Sequence, residues 1–286
     1  MSLLDQIGAL VVPQTLLTRL QETAIAAARA AGELQLRLFR KEHLIRAMYD
    51  HDLTLEVDKQ CEQAMVDIIR KAFPRHGIVS EEGGSQRSDE PWLWVLDPLD
   101  GTVNYYHGIP FFCACVSCHQ RSDAMGAQGL SSVLGTVAAG VFAPALDEMY
   151  AAARGRGATL NGHALVCSGI RDLGSSVIGV SLGSRSRDTD AMLRLCRSLS
   201  GRARKLRSFG ATGYDLAQVA ACRLGGIAQK GVNLWDVAAG ALLVEEAGGV
   251  VEGRPTELGR WDLIAAAGSV HPELSALVHE AWKASA

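Results

Sequence analysis

The chain predicts an α/β fold in which helices and sheets stack in layers, and three observations carry that prediction. Apolar runs of strand length, such as 92–96, 111–118 and 263–267, interleave with stretches in which apolar residues recur at helical spacing. The 286 residues are 48% hydrophobic and 21% charged, enough to bury one large core or two modest ones. Acidic residues stand where apolar runs end or helices begin, the positions from which α/β proteins point side chains into a crevice.

In residues 14–43, Leu17, Leu20, Ala24, Ala27, Ala28, Ala31, Leu34 and Leu38 fall on one helical face. A second helix covers 58–73, with Ala64, Met65, Ile68, Ile69 and Ala72 inward and Pro74 as its stop. Ile78 and Val79 form a short strand that runs into a Gly-bounded turn, Ser80-Glu81-Glu82-Gly83-Gly84. Residues 92–96 are a buried strand, followed by strands at 111–118, 133–142 and 148–152. Arg154-Gly155-Arg156-Gly157 and Asn161-Gly162 suggest hairpin turns.

The second half alternates strand and helix. Strands are expected at 177–181, 225–229 and 263–267, and helices at 189–199, 213–221, 236–247 and 271–283. Gly248-Gly249 closes the third of these helices, and Pro272 sits in the first turn of the last. No repeat or low-complexity linker interrupts the chain. The expected division is an N-terminal α+β part, 1–146, with most of the candidate acids, and a C-terminal α/β part, 147–286, with Asp236.

A net charge of −3 gives no whole-chain argument for nucleic-acid or membrane binding. The one basic stretch, Arg202-Ala-Arg-Lys-Leu-Arg207, reads as a solvated face. The first residues lack the basic start of a signal peptide, and no apolar run reaches the roughly 18 residues that span a bilayer. Seven cysteines, an odd number, suit a reducing, cytoplasmic setting. Cys113, Cys115 and Cys118, in a strand-like run with Phe111, Phe112 and Val116, read as thiols packed like small apolar groups.

Chemistry concentrates in Asp97-Pro-Leu-Asp-Gly-Thr-Val-Asn104. Two acids leave a strand end together, Pro98 removes a backbone donor between them, and Gly101 allows a tight turn. Hard oxygen ligands on a rigid turn suit Mg²⁺, and exposed amides at Gly101 and Thr102 suit a phosphate. Asp58, Glu81, Glu82 and Asp236 stand in comparable contexts. Adjacent carboxylates repel unless a cation neutralises them, so the joint pattern points to metal-assisted chemistry on a phosphate ester.

These blocks resemble the inositol monophosphatase family of Mg²⁺-dependent, lithium-sensitive phosphatases. The matching segments are Ser80–Gly84, Asp97–Asn104, Met149–Gly162 and Leu234-Trp-Asp-Val-Ala-Ala-Gly240 with Glu246–Gly249, within roughly residues 15–270. The resemblance implies an αβαβα five-layer sandwich and a homodimer acting on a small phosphomonoester. It implies one Mg²⁺ held by Glu81, Asp97 and the Leu99 carbonyl, a second by Asp97, Asp100 and Asp236, and a weaker third by Glu81 with solvent. It places the attacking water near Glu81 and Thr102, with Asp58 orienting Thr102. Gly101 and Thr102 would bind the phosphate, and Ser184, Thr212, Gln229 and Lys230 would line the substrate side.

Departures fall in the leaving-group pocket. Gln229 stands where inositol-gripping enzymes carry Glu, with Lys230 beside it as a reader of a second anionic group. Ala47 and Val57 replace a family lysine and threonine. The expected activity is phosphomonoester hydrolysis, with inositol 1-monophosphate leading and fructose 1,6-bisphosphate, histidinol phosphate and nucleotide 3′-phosphates as alternatives. A non-catalytic regulator of transcription or RNA processing is the alternative of another class. Retention of all the acids argues against it, because unneutralised clustered acids cost stability. A metal-dependent nuclease would want a basic groove that this chain lacks, so nucleic acid is not an expected partner.

Overall fold

A computed structural model of the protein describes residues 12–41, 44–48, 53–86, 88–120, 134–182, 186–256 and 259–283. Helix α1 (Gln14–Leu38) stops short of the expected residue 43 because Arg40 adopts a left-handed backbone, φ 60°. A two-stranded ribbon, β1 (Ile45–Met48) and β2 (Leu53–Leu55), leads into α2 (Glu56–Ala72). Then follow β3 (Gly77–Ser80), β4 (Gly84–Gln86), β5 (Trp92–Asp100), the short α3 (Thr102–Tyr106), β6 (Cys113–Gln120), β7 (Thr136–Ala143) and β8 (Glu148–Ala153). The hairpin β9 (Ala158–Leu160) and β10 (His163–Leu165) turns at Asn161-Gly162, both at positive φ, as their sequence leads one to expect.

These strands, β1 and β2 apart, form one eight-stranded sheet in the order β10-β9-β8-β7-β6-β5-β3-β4. All pairs are antiparallel except β3 with β5. A division after residue 146 would separate β7 from β8, which pair along their whole length. The sheet continues through residue 165, because short turns keep the chain paired with its neighbour.

A second sheet holds β11 (Val177–Val180), β12 (Lys205–Arg207), β13 (Gly226–Val232), β14 (Val250–Pro255) and β15 (Trp261–Ala266) in the order β12-β11-β13-β15-β14. Its helices are α4 (Ser186–Leu199), α5 (Thr212–Ala220), α6 (Leu234–Glu246) and α7 (His271–Lys283). The basic stretch 202–207 therefore ends in an edge strand, where charge discourages pairing with another chain.

Packing makes five layers. Helices α1 and α2 cover one face of the large sheet, α5 and α6 lie between the two sheets, and α4 with α7 covers the outer face of the small one. Helix α6 shows why the middle layer is buried on all sides: Val237 through Val244 are all buried, with no polar face. One apolar cluster runs from Cys113 and Val141 on the large sheet through Leu216 and Leu242 to Ile264 on the small one. The two halves thus share a core, as the intimate contact of two α/β layers requires.

Candidate active site

The end of β5 is built by a break in strand pairing. Asp97 pairs with Cys115 and Asp100 with Cys113, so β5 spends one residue more than β6 between those points. Pro98 cannot donate to the ladder, which places the irregularity there. The consequence is chemical. On a regular strand, residues three apart face opposite sides. The bulge lets both Asp97 and Asp100 line one cleft of about 200 Å³.

Two side chains to which sequence reasoning gave no role, buried Gln35 and half-buried Asn104, hold this turn. Gln35 of α1 donates from Nε2 to the Pro98 carbonyl (2.7 Å), and its own carbonyl accepts the Tyr105 hydroxyl (2.8 Å). Asn104 donates from Nδ2 to the carbonyls of Phe111 (2.7 Å) and Phe209 (2.6 Å), tying the turn to the loop before α5. A long polar side chain on the largely apolar buried face of α1 was the available signal for Gln35. Gly101 has φ 87°, and a β-carbon there would stand 2.8 Å from the Phe111 carbonyl oxygen. Only glycine fits this turn.

The cleft is lined by Glu81, Asp97, Leu99, Asp100, Gly101, Thr102, Val103, Gly210, Asn233 and Asp236. Five of the predicted metal positions therefore meet in one place, drawn from β5, the turn after β3, and the start of α6. Asp97 and Asp100 are buried, Asp236 is half-buried and Glu81 stands exposed at the lip. Asp236 is set by the helix start, its Oδ2 accepting the Asn233 amide (2.9 Å). Glu81 is set from α2: one oxygen of Glu62 accepts the Ser80 hydroxyl and the amides of Glu82 (3.1 Å) and Gly83 (3.0 Å). Nothing in the sequence marked Glu62, because its partners lie in a turn 18 to 21 residues away.

Asp100 sits at the N-terminus of α5. Its Oδ1 accepts the Thr212 amide (3.0 Å), and Oδ2 accepts those of Gly213 (2.7 Å) and Tyr214 (3.3 Å). Burial nevertheless raises its carboxyl, with those bonds opposing. Burial, then repulsion from Glu81, Asp100, Cys115 and Asp236, pushes Asp97 well above the ordinary carboxylate range. Hard oxygen donors crowded into one cleft suit a divalent cation that prefers oxygen ligands. The donor set fits Mg²⁺: Glu81, Asp97, Asp100, Asp236 and the Leu99 carbonyl would hold it.

Other positions fall differently. Asp58 is buried at the start of α2, where its carboxylate accepts the Leu55 amide. The Thr102 hydroxyl donates to the Leu99 carbonyl (2.9 Å), not to Asp58 as the resemblance implies. Thr212 lies beside Asp100, with its hydroxyl donated to Gln229 Oε1 (2.8 Å). Gln229 is buried, and its amide nitrogen donates to Asp215 (2.8 Å), so both ends are engaged inside the middle layer. Lys230 must be corrected outright. Neighbours on a strand point to opposite faces, and Lys230 points outward, paired with Asp262 (2.6 Å) and lying over the Trp282 ring. It reaches no leaving group in the cleft. Ser184 lies outside the described residues.

The comparisons with known proteins agree with this geometry. A model described as the inositol monophosphatase family matches residues 16–284. The chain is 39% identical over 236 residues to Nus factor SuhB of Pseudomonas aeruginosa, covering 80% of this chain and 83% of that protein. It is 34% identical over 232 residues to Nus factor SuhB of Escherichia coli K12, covering 80% and 82%. Among solved structures, the extragenic suppressor protein suhB of Bartonella henselae superposes with a TM-score of 0.80 at 28% identity, covering 91% of this chain and 98% of that one. The Thermotoga maritima IMPase does so at 0.79 and 27%, covering 93% and 98%. A match across nearly the whole chain, on a fold whose two sheets meet at a cluster of acids, leads to one conclusion: the chain belongs to the inositol monophosphatase family.

Proposed function

We propose that this chain is a Mg²⁺-dependent phosphomonoesterase for a small polyol monophosphate, with inositol monophosphate the leading substrate, and that it also serves as a transcription factor. The observation that carries the first part is the meeting of Glu81, Asp97, Asp100 and Asp236 with the Gly101-Thr102 turn in one cleft. Bound there, Mg²⁺ supplies charge to polarise the phosphoryl group, acidify water and stabilise the leaving oxygen. The chain's own residues do the positioning. The amides of Gly101 and Thr102, at the start of α3, orient the phosphate oxygens. The Thr102 hydroxyl, its proton committed to Leu99, keeps an oxygen lone pair toward an attacking water. Glu81, at the exposed lip, takes up that water's proton.

The second part rests on the similar proteins named Nus factor SuhB, and those names favour a regulatory role over a purely metabolic one. Catalysis and regulation are compatible on one fold, because function resides in sites. The resemblance also implies a homodimer, which light scattering at micromolar concentration tests.

A panel of phosphomonoesters assayed with Mg²⁺ and then with chelator tests the enzyme. Hydrolysis that vanishes with chelator and returns with Mg²⁺ supports it, and undiminished turnover in chelator refutes it. An in vitro transcription assay with wild-type chain and Asp97→Asn tests the second role. An effect retained by Asp97→Asn makes regulation independent of catalysis, and no effect of either chain removes the role.

A further inference from the structure

Two thiols that the proposed hydrolysis does not use lie directly beneath Asp100. Cys113 and Cys115 are two apart on β6, so their side chains share a face, the one turned toward the start of α5. Cys113 Sγ is 3.4 Å from Asp100 Oδ2 and 3.7 Å from Cys115 Sγ. The three ligand atoms lie within 4.8 Å of one another, all on buried residues. From sequence this pair, with Cys118, read as apolar packing in a strand. The bulge in β5 adds Asp100 as a third donor.

Two of the three separations match a tetrahedral ion. With Zn–S bonds of about 2.3 Å and a Zn–O bond of about 2.0 Å, two sulfurs stand about 3.8 Å apart, and a sulfur and an oxygen about 3.5 Å. Gly213 closes over this group: a β-carbon there would stand 2.3 Å from Cys115 Sγ, 3.2 Å from Asp100 Oδ2 and 3.5 Å from Cys113 Sγ, so only glycine lets the start of α5 approach all three atoms.

We propose that Asp100, Cys113 and Cys115 form a site for one thiophilic divalent cation, Zn²⁺ or its spectroscopic surrogate Co²⁺. The two thiol protons leave to solvent as the metal–sulfur bonds form. A cation there takes Asp100 from Mg²⁺ and adds a like charge beside it, so Zn²⁺ inhibits hydrolysis. This last consequence rests on the proposed function, whereas binding does not.

The test is Co²⁺ titration of the full, metal-stripped chain. The expected result is a thiolate-to-cobalt charge-transfer band saturating at one equivalent, displaced by Zn²⁺ and not by Mg²⁺. The variant Cys113→Val/Cys115→Val keeps apolar bulk in the strand. It should lose the band and bind Co²⁺ about 100-fold or more weakly, with an unchanged circular dichroism spectrum. Should the double variant fail to fold, Cys113→Ser and Cys115→Ser singly should each weaken Co²⁺ binding and alter the band. Absence of the band in the folded wild-type chain, or its persistence in the double variant, overturns the proposal and leaves the thiols as packing groups. A band in a chain that hydrolyses no phosphomonoester would sink the proposed function and leave this site standing.

Discussion

The cleft and the outer face of the small sheet treat buried charge in opposite ways. On the outer face, Lys230 meets Asp262 at 2.6 Å. In the cleft, Asp97 and Asp100 accept only N–H and S–H donors among the described residues, and their charged neighbours are other acids. Paired charge costs little and holds elements together. Charge of one sign, buried without a counterion, is tolerated where a cation is to be bound. Gln229 and Lys230 sit on either side of this divide, though adjacent in sequence.

The sharpest way to break the comparison is Asp97→Asn. Turnover should fall roughly 10³-fold or more, since a ligand expected to bridge two ions is lost. The melting temperature of the metal-free chain should stay level or rise, because repulsion is relieved. Normal kcat in this variant, measured with saturating Mg²⁺, would remove Asp97 from the mechanism.

Gln229→Glu moves the cleft's problem one layer in. A carboxylate there would meet Asp215, already held above the ordinary range by burial and by Asp100. The variant should lose about 3 kcal/mol of stability near neutral pH, and less at acidic pH where one carboxyl keeps its proton. Equal urea midpoints for the two chains at pH 7 would contradict the packing described for Gln229.

Lys230→Ala tests the paired face. Removing a largely covered partner of Asp262 should cost about 2 kcal/mol in urea denaturation. It should leave kcat/KM unchanged on simple and doubly anionic substrates alike. A selective loss on doubly anionic substrates would return Lys230 to the pocket. Glu62→Gln is milder: it loosens the turn that carries Glu81 and should weaken Mg²⁺ binding about tenfold, or ~1.4 kcal/mol, with little change in melting temperature without metal. Calorimetric titration showing equal Mg²⁺ affinity would count against that positioning role.

The smallest effect is on pH. Asp97, Asp100 and Asp215 have raised carboxyls, so the stability they contribute is fully present below the ordinary 3.8 and is lost as pH rises through their folded-state values. His76 and His119, lowered from 6.5 to about 4 by burial, act oppositely: their contribution is present above 6.5 and lost as pH falls through about 4. The diagnostic is therefore the Mg²⁺ increment in melting temperature, which should grow as pH rises from 4 toward 7. An increment that shrinks over that range would contradict the cation reading of the cleft.

Most elements were legible because burial leaves a period in the sequence. The expected 58–73, 189–199 and 271–283 helices appear as α2, α4 and α7 with small shifts at their ends. The elements missed were short or edge pieces, β4, β12, β14, α3 and the β1–β2 ribbon, which carry little period of their own and, in the strands, pair with partners made elsewhere. Among site residues, the acids were legible from their place at strand ends and helix starts. The supports were not: Gln35, Asn104 and Glu62 act across 63, 105 and 18 residues of chain.

By itself the sequence determined which residues are apolar, where turns must fall, and that Pro98 and Gly101 would break a strand beside two acids. These are local matters of backbone freedom and side-chain period. Only the tertiary structure decided which faces those residues take. The bulge in β5 turned Asp97 and Asp100 into one cleft, the alternation of β13 sent Gln229 inward and Lys230 outward, and the approach of α5 brought Gly213 over Asp100 and two thiols. Facing is settled by pairing and packing between segments far apart in the chain, and no local pattern encodes it.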